Sequence, residues 1–298
     1  MKKQVTYLLK ENGMISGYQW LIDNPKANVV ICHGMAEHIE RYDEFALYLN
    51  SQGYNVFGHN QRGHKDTTPK EYYGYMSDGD NLQILVDDLG DIIKQVKENY
   101  NDLPVYLFGH SMGSFVSQRL IEQQPDIVNK VILSGSNLQP TIIGKVGSFV
   151  ASIITKVKGR MYRSKLMDNL SFGSFNKVFK PNRTDYDWLN RDEAEVDKYI
   201  ADPWCGGIFT VSFFKDFTKL FVGINKNFDK IKKELPILLI SGTKDPVGNC
   251  GNGITNLHKE MLKHNLNATL ILYPEARHEL TLELCKEEVF KDVSEFLK

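Results

Sequence analysis

Short, unbroken apolar runs recur along the chain, at Asn28–Cys32, Tyr54–Phe57, Val105–Phe108, Val131–Leu133, Pro236–Ile240 and Ala268–Leu272. Runs this short, bounded by turn residues, read as strands buried on both faces of a parallel sheet. Amphipathic stretches lie between them. Tyr42–Leu49 carries helical spacing, and Leu82, Leu85, Val86, Leu89, Ile92, Ile93 and Val96 recur at i, i+3, i+4 and i+7. Further helices are predicted around Leu257, Met261 and Leu262, and over Val289, Phe290, Val293, Phe296 and Leu297. Two strand-like runs at 4–10 and 14–22 flank Glu11-Asn12-Gly13 and predict a β-hairpin. The pattern therefore predicts an α/β fold: a mostly parallel, eight-stranded sheet with helices on both faces. Between residues 137 and 207 the alternation breaks into an irregular, helix-leaning stretch. Residues 1–136 and 208–298 then form the core, and 137–207 a cap (lid) inserted over the carboxyl edge of the sheet, where ligands bind in such folds.

One of these strands ends in Gly109-His110-Ser111-Met112-Gly113, and an apolar helix pattern follows (Phe115, Val116, Leu120, Ile121). A strand running into G-x-S-x-G reads as a nucleophile elbow, a sharp turn that presents a serine in a strained backbone conformation. A serine hydroxyl needs a base, and the base needs a carboxylate to orient it. Asp245 follows the 236–240 strand and His278 follows the 268–272 strand, which reproduces the chain order serine, acid, histidine of a doubly wound hydrolase. The strand at 131–133 is followed by Ser134-Gly135-Ser136-Asn137, which offers no acid. Ser111, Asp245 and His278 are the expected catalytic set. The loop His33-Gly34-Met35-Ala36-Glu37-His38 follows another strand. Its place suits a second oxyanion donor, so the backbone N–H groups of Met35 and Met112 are the expected oxyanion hole. Cap residues 137–207, Gly34 and Glu37 are the candidate substrate contacts.

A formal net charge of −1 gives no reason to expect a nucleic-acid partner. The first residues lack a signal-peptide pattern, and no apolar stretch is long enough to cross a bilayer. Cys32, Cys205, Cys250 and Cys285 are scattered, without the spacing of a zinc site or a disulfide framework. Reduced thiols in a cytoplasmic protein without metal or cofactor are the expectation. Between Lys145 and Arg183, Asp168 is the only acid among many basic residues. That asymmetry has two readings, a lid that transiently meets an anionic lipid surface or a solvated helix face packed on the core. The chain carries no sign of its oligomeric state.

These motifs together resemble the monoacylglycerol lipase and lysophospholipase branch of the α/β-hydrolases, a group also described as serine aminopeptidase-like. The resemblance rests on His33–His38 with Arg41-Tyr42, Arg62-Gly63-His64, Gly109–Gly113, Ser241–Val247, Asp202-Pro203-Trp204-Cys205-Gly206 and Arg277-His278-Glu279. It implies a serine hydrolase of carboxylic esters, with a monoacylglycerol or lysophospholipid as substrate and an acyl-enzyme on Ser111. An aminopeptidase or amidase using the same three residues, with Glu37 holding a free amine, is the alternative. A non-catalytic protein built on the same scaffold is a third. The chain departs from the family at Asn60-Gln61-Arg62-Gly63-His64-Lys65, where the family usually reads Asp-His-Arg-Gly-His-Gly.

Overall fold

The computed structural model describes residues 1–9, 13–79, 81–100, 103–138, 141–224 and 227–298. The strands are β1 (Lys2–Leu8), β2 (Met14–Trp20), β3 (Ala27–Cys32), β4 (Tyr54–His59), β5 (Val105–His110), β6 (Lys130–Ser134), β7 (Ile237–Gly242) and β8 (Ala268–Tyr273). They form one eight-stranded sheet in the order β1-β2-β4-β3-β5-β6-β7-β8. The β1–β2 and β2–β4 pairings are antiparallel, and every other pairing is parallel. The hairpin forms as expected, with Leu8 opposite Met14; Glu11 and Asn12 of its turn lie outside the described residues.

The central strands β3, β4, β5 and β7 are buried along their whole length, which is why they appear in the sequence as plain apolar runs rather than alternating ones. Helices α1 (Asp43–Ser51), α2 (Asn81–Asn99) and α3 (Met112–Gln123) follow the pattern of the first half of the chain. The apolar stripe of α2, from Leu82 through Val96, is buried with Phe115, Val116 and Leu120 of α3 in one core layer. On the other face of the sheet, Phe45 and Leu49 of α1 pack with Phe290 and Val293.

Between β6 and β7 the chain is more ordered than its sequence suggested. It forms α4 (Thr141–Lys158), α5 (Lys165–Phe172), α6 (Glu193–Ala201) and α7 (Val211–Ile224), with short 3₁₀ turns between them. α7 packs along α4 and also against α2 and α3. The first of them is apolar on its exposed side as well as its buried one. In α4, Ala151 is buried while Val146, Phe149, Ile153 and Val157 are exposed. The last two helices, α8 (Asn252–Lys263) and α9 (Lys286–Leu297), close the α/β alternation. Among the described residues, no helix is long and apolar enough to cross a membrane.

Candidate active site

The carboxyl ends of β3, β5, β6, β7 and β8 converge, and the loops leaving β3, β5, β7 and β8 carry Gly34, Met35, Glu37, Ser111, Asp245 and His278. At the end of β5, Ser111 adopts φ 51° and ψ −119°. This is a strained left-handed conformation for a residue with a side chain. Three close approaches enforce it. A Cβ on Gly109 would lie 2.4 Å from Ser117 Oγ, and one on Gly113 would lie 2.1 Å from the Cys32 carbonyl oxygen. Ser111 N–H also donates to Ser134 O at 2.8 Å, tying the turn to β6. The helix after the turn aims its first amides at the space before Ser111.

Asp245 and His278 meet across the ends of β7 and β8. His278 Nδ1 lies 3.0 Å from Asp245 Oδ1, with His278 only 2% exposed and Asp245 fully buried. Asp245 Oδ1 also accepts from Val247 N–H at 2.9 Å, and Oδ2 accepts from Ser241 Oγ at 3.3 Å. Burial pushes the Asp245 carboxyl up, but the imidazole beside it, with these bonds, holds it below the usual carboxylate range. Burial pulls His278 down, and the Asp245 carboxylate outweighs this, leaving the imidazole above its ordinary value. Gly135, at φ 60°, makes room for the pair: a Cβ there would meet His278 Cε1 at 2.8 Å and Asp245 Oδ2 at 3.4 Å.

Ser111 stands beside this pair without being bonded to it. Its backbone is joined to Ser134, the neighbour of Gly135, and the ring of His110 packs on that of His278 with centroids 4.6 Å apart. Among the described residues no hydrogen bond links Ser111 Oγ to His278; such bonds commonly tighten only once substrate is in place. His110 is buried and neutral, its pKa lowered to about 3 by burial and by His278.

The loop after β3 completes the site. His33 Nδ1 contacts Gly34 O at 2.7 Å and its Nε2 accepts from Gln61 N–H at 3.0 Å, so this ring shapes the loop. Gly34 lies directly against the elbow, where a Cβ would sit 3.2 Å from Ser111 Cβ. Neither the Met35 N–H nor the Met112 N–H finds an acceptor among the described residues. Glu37 is turned inward, away from the role of an exposed substrate contact. Its carboxylate accepts from Gly34 N–H at 2.5 Å, Tyr42 Oη–H at 2.9 Å and Arg41 at 2.9 Å. Burial works to raise its pKa, and Arg41, His110 and these donors hold it low. Arg41 continues to Glu279 through two hydrogen bonds. A buried ionic strut thus runs from the β3 loop to the residue beside His278.

Several contacting residues escaped the sequence reading. Trp188 packs against the His278 ring at 5.2 Å, and Leu189 O accepts from both His278 N–H (3.0 Å) and Glu279 N–H (2.9 Å). Arg277 donates to Asn190 O at 2.9 Å, and Arg191 pairs with Glu283 at 2.9 Å. A stretch of the insertion therefore clasps the histidine loop. Trp188, Leu189, Asn190 and Arg191 have no motif, because main-chain carbonyls and a lone tryptophan leave no spacing signal. At the departure from the family, Asn60 Oδ1 accepts from Ile39 N–H at 3.1 Å, and Lys65 adopts φ 35°. The loop keeps its turn there without the usual glycine.

A model of the family described as serine aminopeptidase, S33 matches residues 23–285. The chain is 30% identical over 261 residues to the monoglyceride lipase of Rattus norvegicus, covering 87% of this chain and 78% of the relative. It is 26% identical to a monoglyceride lipase homolog of monkeypox virus, covering 93% and 91%. Among solved structures, a thermostable carboxyl esterase from Bacillus coagulans superimposes with a TM-score of 0.91 at 22% identity, over 99% of this chain and 97% of that one.

Proposed function

The chain belongs to the serine aminopeptidase, S33 family of hydrolases, and we propose that it cleaves a monoacylglycerol or lysophospholipid through an acyl-enzyme on Ser111. The observation that carries this reading is the buried Asp245–His278 bond, which occupies Nδ1 and leaves Nε2 as the proton acceptor. As Ser111 Oγ attacks the ester carbonyl, His278 takes its proton, and Asp245 stabilises the imidazolium that forms. The Met35 and Met112 amides receive the oxyanion. Collapse of the tetrahedral species breaks the ester C–O bond, and His278 returns the proton to the departing alcohol. The same imidazole then deprotonates the water that releases the fatty acid.

An ester is favoured over a peptide because the carboxylate of Glu37 is already committed to three donors and cannot hold a substrate ammonium. Residues 137–207 serve in this reading as the cap that shapes the acyl pocket, and the setting is cytoplasmic, consistent with four free thiols among the described residues. The exposed apolar row of α4, with Phe149 68% and Val157 72% exposed beside Lys145, Lys156 and Lys158, supports a transient docking on lipid. Binding to vesicles should strengthen with anionic lipid and weaken with salt; salt-independent binding, or none, removes the docking from the proposal.

The central test compares wild type with Ser111→Ala on a monoacylglycerol, a lysophospholipid and an aminoacyl-arylamide, alongside labelling by a fluorophosphonate. Wild type should label and prefer a lipid ester. The folded variant should not label and should lose activity by on the order of 10⁶-fold. Retained turnover in the variant overturns the mechanism, and faster cleavage of the arylamide transfers the reading to the aminopeptidase alternative.

A further inference from the structure

The return of the chain from the insertion to the core passes beside the β3 loop, and the contact made there is unlike the others. A ring nitrogen of His38, a carboxylate oxygen of Asp202 and Sγ of Cys205 all lie within 4.8 Å of one another. A tetrahedral zinc site holds such atoms roughly 3.3–3.5 Å apart, so modest side-chain rotation closes the set. His38 is buried, whereas Asp202 and Cys205 are partly exposed, which leaves an entry path from solvent. We propose that His38, Asp202 and Cys205 bind a soft divalent transition-metal ion, zinc foremost, that fastens the cap's return segment to the loop bearing Met35.

The arrangement is built rather than accidental. Asp202 Oδ1 is occupied by Trp204 N–H at 2.8 Å, which leaves Oδ2 aimed at His38 Nε2, 2.8 Å away. Cys205 N–H bonds Asp202 O at 3.1 Å, a turn that puts both side chains on one side. The other ring nitrogen of His38, Nδ1, lies 3.8 Å from Glu40 Oε2, so a metal at Nε2 calls for the tautomer that carries its proton on Nδ1, facing this carboxylate. Lys65 Nζ stands 3.4 Å from the same Nδ1 and pairs with Glu40. Beside His38 itself, Asp202 and Glu40 bring two carboxylates against the single ammonium of Lys65. A dication enters a favourable field there.

The donor types select the ion. One imidazole, one carboxylate and one thiolate suit zinc or cobalt and disfavour calcium or magnesium, which demand oxygen ligands. Three protein ligands leave a fourth position for water, and binding releases the Cys205 thiol proton to solvent. Spacing in the sequence gave no hint of this site, because His38 and Asp202 are 164 residues apart. A metal at this point would add a strut to a junction already made by Tyr199 Oη–H and Gly206 N–H on Ala36 O, at 3.0 Å each.

The test uses the full chain after chelator treatment, titrated with Zn²⁺ by calorimetry and with Co²⁺ by absorption. One ion per chain, a thiolate-to-cobalt charge-transfer band and a Tm that rises with Zn²⁺ are expected. Cys205→Ser should lose the band and bind Zn²⁺ at least roughly tenfold more weakly. Asp202→Asn should show the same weakening, and it carries the test if the serine variant does not fold. Absence of stoichiometric binding in wild type, or wild-type affinity in the variants, overturns the proposal. These readouts do not depend on substrate identity, so they fail or succeed independently of the proposed reaction.

Discussion

Replacing Asp245 with asparagine separates two ways in which the acid can serve His278. In the first, the amide would offer its NH₂ to Nδ1, forcing the tautomer that cannot accept the Ser111 proton; such a change removes roughly 10⁴ in rate. The surroundings of Asp245 argue for the second. Val247 N–H and His278 Nδ1 both point at Oδ1, while Ser241 Oγ lies by Oδ2. The asparagine oxygen therefore belongs at the Oδ1 position, and its NH₂ can donate to Ser241 Oγ, whose proton goes to Gly242 O. The tautomer survives and only the negative charge is lost. A charge-assisted bond reduced to a neutral one, with the lost attraction for imidazolium, comes to about 3 kcal/mol, a loss of roughly 10²-fold in kcat/KM. Because the Asp245 carboxylate raises the His278 pKa, the acid limb of the pH–rate profile should also move to lower pH. Hydrolysis of a p-nitrophenyl ester across pH 5 to 9, on the order of a dozen points, measures both effects. A loss near 10⁴-fold, or an acid limb that does not move, refutes the argument.

Acid should unfold the protein early. His59, His64 and His110 are buried with pKa values lowered to about 3, 4 and 3, and His33 is also well below normal. The unfolded chain binds these protons near pH 6.5 and the native state does not, so their contribution is intact above that pH and is lost as pH falls towards the folded values. The three numbered groups together contribute a loss of about 4 kcal/mol per pH unit near pH 5, against about 2 kcal/mol per unit of opposite sign from Asp88 and Glu122, whose buried carboxyls are pushed up to about 6 and 7. Urea midpoints that stay level between pH 6.5 and 5 would contradict this. Glu37→Ala should destabilise by about 3 kcal/mol, since it leaves Gly34 N–H and Tyr42 Oη–H without an acceptor in a buried place and Arg41 with Glu279 alone; denaturant titration showing under about 1 kcal/mol would remove the strut's structural importance.

What the sequence disclosed follows a physical rule. β3, β5 and β7 were legible because strands covered on both faces have no polar positions to blur them. Ser111, Asp245 and His278 were legible because short connections bring them to one edge of that sheet. The region between β6 and β7 resisted for the opposite reason. α4 exposes apolar side chains such as Phe149 and Val157, so its apolar positions do not single out one buried face. Glu37 illustrates a second limit: its residue type suited a substrate contact, and only the fold revealed that three donors were already waiting for it. The clasp of Trp188 and Leu189 on His278, like the meeting of His38 with Asp202, depends on chain return over long distances that local spacing does not encode.

The approach of Gly113 to the carbonyls of Cys32 and His33 has a bearing on how such a scaffold diversifies. Where main chain rests on main chain, the gap between the Met35 and Met112 amides is gauged by peptide units instead of by side chains. On the proposed reading, residues lining the cleft can then be exchanged, lengthening or shortening the acyl group admitted, without detuning the two amides assigned to the oxyanion. Specificity can drift while this gauge stays fixed.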